Sequence, residues 1–374
     1  MRESKTQQSL LEALAEALRG ETVKQLPDEV IKEAKDQAVL PLICSSAQAF
    51  PYIAANVQNL WEQQELGKML QGIPYIVLKG ACAAIYYPEP MRRTLGDIDI
   101  LIPPEHFAAA YRAMENAGYT TEDPLEDDDR HVHFTRNQVL VELHRRYAIL
   151  QTKEQEQLLD RWLYDARPVE GKVGKHTFPM PDEQLNGLVL LAHINQHLEE
   201  GLGLRHLVDW CVYVQHCLPD HKWSAFQEKT EQLGLTKIAK VVAKFGQIYL
   251  GLYPELAWCA DAKQETVEAL LDYVFECGNF GHKDAINNTM VMVMSHGRGV
   301  KGFFKNLQQR GLANWQLLKK IPWLKPIAWA YQLFRYMRRG LQGGGLRRFR
   351  QNVVASRKRN ELMDELGATR LALK

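Results

Sequence analysis

The sequence predicts an α+β fold: a small mixed β-sheet with a helical unit before it and a helical domain after it. Three observations carry that expectation. Apolar residues recur at three- and four-residue spacing near the N-terminus (Leu10, Leu14, Leu18) and again from Asp182 onward, which is the helical period. Between these regions lie short apolar runs of strand length, IPYIVL and DIDILI. The stretch HVHFTRNQVLVELH alternates β-branched or aromatic residues with polar ones around Asn137-Gln138, as a β-hairpin does. Four units follow: helices over 1–72, a sheet core over 73–180, helices over 181–297 and a basic amphipathic tail over 298–374.

The N-terminal segment MRESKTQQSLLEALAEALRG reads as an amphipathic helix and lacks the apolar core of a signal peptide. IPYIVL forms the first strand and ends at Lys79-Gly80; ACAAIYY then turns helical. The backbone N–H groups at such a helix start are suited to a phosphate. In DIDILI, side chains alternate between faces, so Asp97 and Asp99 share one face while Ile98 and Ile100 bury on the other. Two adjacent carboxylates repel; a cation between them relieves this, and Mg²⁺ or Mn²⁺ with a polyphosphate is the usual occupant. PEHFAAAYRAMENAGY is a helix with proline in its first turn and a stop at Gly118. It is expected to form a β-α-β crossover that makes the first two strands parallel. The acidic run TEDPLEDDDR reads as a solvated loop. In the hairpin, Val139, Val141 and Leu143 face one way and Leu140, Glu142 and His144 the other. A second hairpin is expected at ARPVEGKVGKHTFPM, with Glu170-Gly171 as its turn.

The order strand, Lys-Gly, short helix, loop and D-x-D strand resembles the nucleotidyltransferase superfamily that includes DNA polymerase β and the antibiotic nucleotidyltransferases. LKGACAAIYY, RRTLGDIDILI and VLVELHRR, between about residues 73 and 146, are similar to a poorly characterised bacterial branch of that superfamily. The resemblance implies a nucleotidyltransferase sheet core in which Asp97, Asp99 and Glu142 are catalytic and hold the metal. It implies that Lys79, Gly80 and Ala81 hold the outer phosphates of a nucleoside triphosphate, ATP by default. Arg93 stands where that branch carries an arginine, to hold a phosphate or to pair with a nearby acid. The superfamily pattern has Ser or a second Gly after the glycine. Ala81 removes that hydroxyl and keeps the N–H, and Lys79 offers a point charge in compensation. The acceptor is then a hydroxyl of a small molecule or a protein. Nucleic acid is not expected, because only the tail offers a long basic stripe. The alternative is a non-catalytic interaction protein on the same fold.

In the later helical region His193 and His197 stand at i and i+4, on one helix face. The zinc-protease pattern needs Glu after the first His, and here that residue is Ile194, so zinc is not expected. With His144, Arg205 and Asp209 these histidines are candidates to line the cleft, although Arg205 and Asp209 at i, i+4 also suit an internal ion pair. From Arg298 onward the chain carries 18 Lys or Arg against 3 Asp or Glu, with Trp315, Trp323 and Trp329 interleaved and a Gly343-Gly344-Gly345 hinge. With an overall net charge of +1 the body is therefore acidic. Such a tail suits peripheral contact with an anionic membrane surface, nucleic acid, or packing over that body. The 46% hydrophobic and 24% charged shares are ordinary for a globular protein. Six cysteines without a C-x-x-C pair read as reduced thiols of a cytoplasmic protein, and no apolar run is long enough to span a membrane.

Overall fold

Side-chain caps start several of the helices and fix where the chain enters them. Ser4 and Gln7 form a reciprocal capping box at α1 (Lys5–Leu18), and Ser45 and Gln48 form another at α4 (Ser46–Met69). Between them lie α2 (Asp28–Asp36) and the single turn α3 (Leu40–Ile43). The computed structural model describes residues 4–125, 130–279, 283 and 357–368. The Trp315, Trp323 and Trp329 stripe and the Gly343-Gly345 hinge therefore lie outside the described residues.

The sheet follows: β1 (Ile76–Leu78), α5 (Gly80–Ala84), a 3₁₀ turn at Pro90–Arg92, β2 (Ile98–Leu101), α6 (Pro104–Asn116), β3 (His131–Arg136) and β4 (Val139–His144). Its order is β1-β2-β4-β3. The expected parallel order of the first two strands is not what forms. β1 and β2 run antiparallel with Leu78 opposite Asp99, and the parallel pair is β2 with β4. The connector between β1 and β2 holds only the five-residue α5 and a 3₁₀ turn, which return the chain alongside itself. The full-length crossover helix, α6, comes after β2 and leads to the β3–β4 hairpin, so the parallel pairing falls there.

The hairpin turn sits at Asn137 and Gln138 as expected, both with positive φ (51° and 64°), the two-residue geometry whose twist matches the flanking strands. Beyond α7 (Lys153–Asp165) the second hairpin also forms, β5 (Val169–Val173) with β6 (His176–Met180), but its turn is Gly174-Lys175, not Glu170-Gly171. Gly174 supplies the positive φ, 59°. Gly171 lies within β5 opposite Phe178, where a Cβ would come within 2.5 Å of that ring. Its lack of a side chain serves close approach, not a turn.

The chain then continues as α8 (Glu183–Glu200), α9 (Leu204–Cys217), α10 (Asp220–Leu233), α11 (Thr236–Tyr249) and α12 (Gln264–Cys277). One core lies on the apolar face of the sheet, where Ile98, Ile100 and Val141 meet Phe107 and Met114 of α6 and Leu60 of α4. A second core joins the N-terminal helices to the C-terminal ones, Leu10 and Leu14 with Leu207, Trp210, Phe245 and Val274. A further helix over 357–366 buries Leu362, Met363 and Leu366 in that second core, and Thr266 of α12 donates to Glu365 at 2.8 Å. This part of the basic tail is packing. None of the described helices is long and apolar enough to cross a membrane.

Candidate active site

Alternation along β2 and β4 turns their polar side chains to the face away from α6. The parallel register sets Asp99 directly beside Glu142, and Leu101 beside His144. From the other neighbour, β1, the chain leaves Leu78 opposite Asp99 and passes into Lys79, whose φ of 53° and ψ of −128° form a conformation rarely taken by residues with a Cβ. Such backbone strain costs about 1–3 kcal/mol and persists only where the surroundings fix it. Here Lys79 Nζ sits 2.6 Å from Asp99 Oδ1, and His144 Nε2 lies 2.9 Å from the same oxygen. His144 Nε2 is also 3.2 Å from Glu142 Oε2, and His133 Nε2 lies 3.7 Å from Glu142 Oε1.

The electrostatics follow from this crowding. Burial disfavours the Lys79 ammonium, but Asp99 and Asp97 outweigh it and raise its pKa above the ordinary value. His144 behaves alike: burial alone lowers its pKa, while hydrogen bonds to Asp99 and Glu142 raise it above 6.5. Burial of Glu142 favours its neutral form; the His144 hydrogen bond and the field of Lys79 prevail and bring its pKa down to about 2. The wall therefore carries charge of both signs at neutral pH on Lys79 and Glu142, and the same contacts favour the protonated form of His144.

These groups open on a cavity of about 290 Å³. Asp97, one residue ahead of β2, Asp99 and Glu142 all line it, as do Lys79, Gly80 and Arg93. From the facing helices come His193 and His197 of α8 and Arg205 of α9. The sequence-based candidates thus converge, with two exceptions. Ala81 is buried in the core under the sheet, and Asp209 is spent on holding other residues. Its carboxylate receives Arg93 through Nε (3.1 Å) and Nη2 (2.5 Å), together with the Tyr87 hydroxyl (2.7 Å). Of the two roles open to Arg93, pairing with an acid is the one formed, and the acid comes from α9. Arg205 donates to the Thr94 carbonyl at 3.3 Å; burial and the neighbouring Arg93 push its pKa down to about 10.

The cavity also includes residues the sequence reading passed over: Arg130, His131, Tyr147, Ile149 and Gln196. Two histidines were within reach of it. With the turn at Asn137-Gln138, counting outward pairs His133 with Glu142 and His131 with His144, and both pairings form. Arg130 carried no signal; it pairs with Glu156 of α7 at 2.8 Å, a contact made only by the fold. The ligand atoms of Asp99, Glu142 and His144 lie within 4.8 Å of one another, so this wall has the donors and the spacing to hold a cation.

Residues 6–251 match the model of the family described as uncharacterised nucleotidyltransferase, so the chain belongs to that family. Among solved structures it is similar to an antigenic nucleotidyltransferase-like protein from Paracoccidioides brasiliensis, at 15% identity and a TM-score of 0.34, covering 55% of this chain and 94% of that one. No curated protein matches the chain.

Proposed function

We propose that this nucleotidyltransferase-family protein moves a nucleoside monophosphate, AMP from ATP by default, onto a hydroxyl of a small molecule or a protein in the cytoplasm, releasing pyrophosphate. The observation that carries this is the parallel pairing of Asp99 with Glu142 on one wall of a cavity that Asp97 also lines. Carboxylate oxygens on a wall that already draws an ammonium and an imidazole are a hard, anionic donor set, which fits Mg²⁺ or Mn²⁺. Asp97, Asp99 and Glu142 would hold that ion, which supplies charge neutralisation of the triphosphate when bound.

The chain's own residues do the rest. Lys79, Arg130 and Arg205 bring positive charge to the cavity and bind the outer phosphates, with the backbone N–H of Gly80 as a further donor. Glu142, with a pKa of about 2, is a weak proton acceptor and a good cation ligand, so its role is binding rather than base catalysis. His144 bridges Asp99 and Glu142 and fixes both carboxylates. The acceptor hydroxyl oxygen attacks the α-phosphorus as its proton passes to solvent, the bond to the bridging oxygen of the β-phosphate breaks, and pyrophosphate leaves. The helices after residue 180 form the opposite wall and select the acceptor.

The experiment is incubation of the full chain with Mg²⁺ and ATP labelled at the α-phosphate, against small-molecule and protein acceptor pools. Label is expected on an acceptor with the native protein and absent with Asp97→Asn. Label that reaches an acceptor only in a parallel incubation with γ-labelled ATP contradicts nucleotidyl transfer. One observation favours a second function, a non-catalytic interaction protein docking through its basic tail on a membrane surface or partner. Asp99 already has the Lys79 ammonium as counter-charge and the His144 ring as hydrogen-bond partner and is satisfied without a metal. Loss of both label transfer and nucleotide binding in folded protein would favour it.

A further inference from the structure

Across the cavity from the carboxylates, α8 and α9 bring three histidines together. His193 and His197 lie one turn apart on α8, and His206 comes from the first turn of α9. Their ring centroids are 4.6 Å (193 to 197), 4.9 Å (193 to 206) and 5.1 Å (197 to 206) apart. One nitrogen from each falls within 4.8 Å of the others. All three are buried, at 7%, 7% and 1% exposure. His193 and His197 show an edge to the cavity, while His206 stands behind them.

We infer that His193, His197 and His206 form a second metal site, for a divalent transition ion bound through imidazole nitrogen. Packing three ionisable rings against one another inside a protein is costly unless all three are neutral, and neutral imidazole is the ligating form. Burial pushes His193 and His206 well below their ordinary pKa, and the nearby Arg205 acts in the same direction. His206 Nδ1 is held at the Gly203 backbone, 3.4 Å from its nitrogen and 3.3 Å from its carbonyl oxygen; in the tautomer that donates to that carbonyl, Nε2 is the ligating nitrogen. Two ligands at i and i+4 with a third from a second helix is a scaffold of rigid elements. A three-histidine set would leave a coordination position for a water or an anionic oxygen, and His193 and His197 line the cavity from which one can enter. Imidazole donors suit Zn²⁺, Cu²⁺, Ni²⁺ or Fe²⁺, whereas the carboxylate wall suits Mg²⁺, so the two walls select different ions. The absent glutamate after His193 argues only against a zinc-protease motif, since the third ligand lies outside the motif.

The test uses the full chain, freed of metal by chelation, and Co²⁺ as a spectroscopic substitute for Zn²⁺, in excess Mg²⁺. Expected is one equivalent of Co²⁺ bound with a visible absorption band, displaced by Zn²⁺. His206→Gln should weaken binding by more than about 100-fold, beyond the loss typical of an outer-shell partner, and Asp97→Asn should leave it unchanged. No Co²⁺ binding by folded native protein overturns the inference. So does Co²⁺ binding that survives His206→Gln, which assigns the ion to the carboxylate wall or the β3 histidines. Should His206→Gln fail to fold, proton spectra of the native Co²⁺ form decide: three hyperfine-shifted exchangeable imidazole resonances support the site, and fewer overturn it.

Discussion

Two clusters of buried charge flank the sheet, and they are built to different ends. Glu62 of α4 is fully buried, and its carboxylate oxygens receive Arg136 Nε (2.6 Å), Asn137 Nδ2 (3.1 Å) and the Tyr119 hydroxyl. Arg136 in turn donates to the Ala117 carbonyl at 3.2 Å and lies over the Tyr119 ring. This cluster is closed, and it ties the β3–β4 turn to the helix behind it. Around Asp99, the Lys79 ammonium and the His144 ring share one carboxylate oxygen, while Glu142 and Asp97 face the cavity. A closed cluster contributes orientation and stability. An open one holds charge available to a ligand, at the expense of strain at Lys79.

Asp97 and Glu62 should separate these roles most widely. Asp97→Ala is expected to lower nucleotidyl transfer by about 1000-fold or more, the scale of losing a group that acts on charge in the transition state. Because Asp97 is partly exposed, its urea midpoint should shift by less than about 0.5 kcal/mol equivalent. Transfer at near-native rates by that variant would end the assignment. Glu62→Ala should do the reverse. It leaves Arg136 and Asn137 without their carboxylate and should cost about 3 kcal/mol, with activity per folded molecule unchanged.

Asp99 belongs to both categories, which makes it a poor single test. Asp99→Ala leaves the Lys79 ammonium buried and uncompensated, a loss of about 3–5 kcal/mol. Replacing both members, Asp99→Leu with Lys79→Met, should recover much of that stability, since an apolar pair avoids the desolvation of either charge. Chemical denaturation of the single and double variants checks this; a double variant as unstable as the Asp99→Ala single would show that the pair is not a unit.

Smaller effects come from pH. The folded pKa of His144 lies above 6.5. Its ion pairs therefore contribute stability in full below about pH 6.5, and that contribution fades as pH rises through the folded value. The stability difference between native protein and His144→Asn should shrink as pH rises above about 6.5; a difference that stays constant as pH rises contradicts the raised pKa. Glu142 works oppositely: its contribution is present at neutral pH and disappears as pH falls toward about 2. The smallest expected change is Gly80→Ala. A Cβ there would meet nothing closer than the Asp97 carbonyl oxygen at 3.7 Å, so stability should move by less than about 0.5 kcal/mol. A large loss would mean that Gly80 serves conformation rather than room for a ligand.

Much of the carboxylate wall was legible because strands impose period two. Once DIDILI and VLVELH are read as strands, Asp99, Glu142 and His144 must share polar faces, and the Asn137-Gln138 turn sets His133 opposite Glu142. What could not be read was which strands lie side by side. The antiparallel run of β1 and β2 depends on the short α5 connector, whose length in the sequence also suits a crossover. The partners of Arg93 and Asp209 were equally hidden, since these residues are more than a hundred positions apart and meet only when α9 docks beside α5. The same holds for His206. In the sequence His193 and His197 are a pair, and only the packing of α8 on α9 makes them three.

The most direct measurement of the central claim is a calorimetric titration of the full chain with ATP and with GTP, each with and without Mg²⁺, repeated on Asp97→Asn. Nucleotide binding that requires Mg²⁺ and disappears in Asp97→Asn, with the variant still folded, is the expected result. No binding by the folded native protein, or binding that neither Mg²⁺ nor Asp97→Asn affects, would contradict a nucleotide site built on these carboxylates.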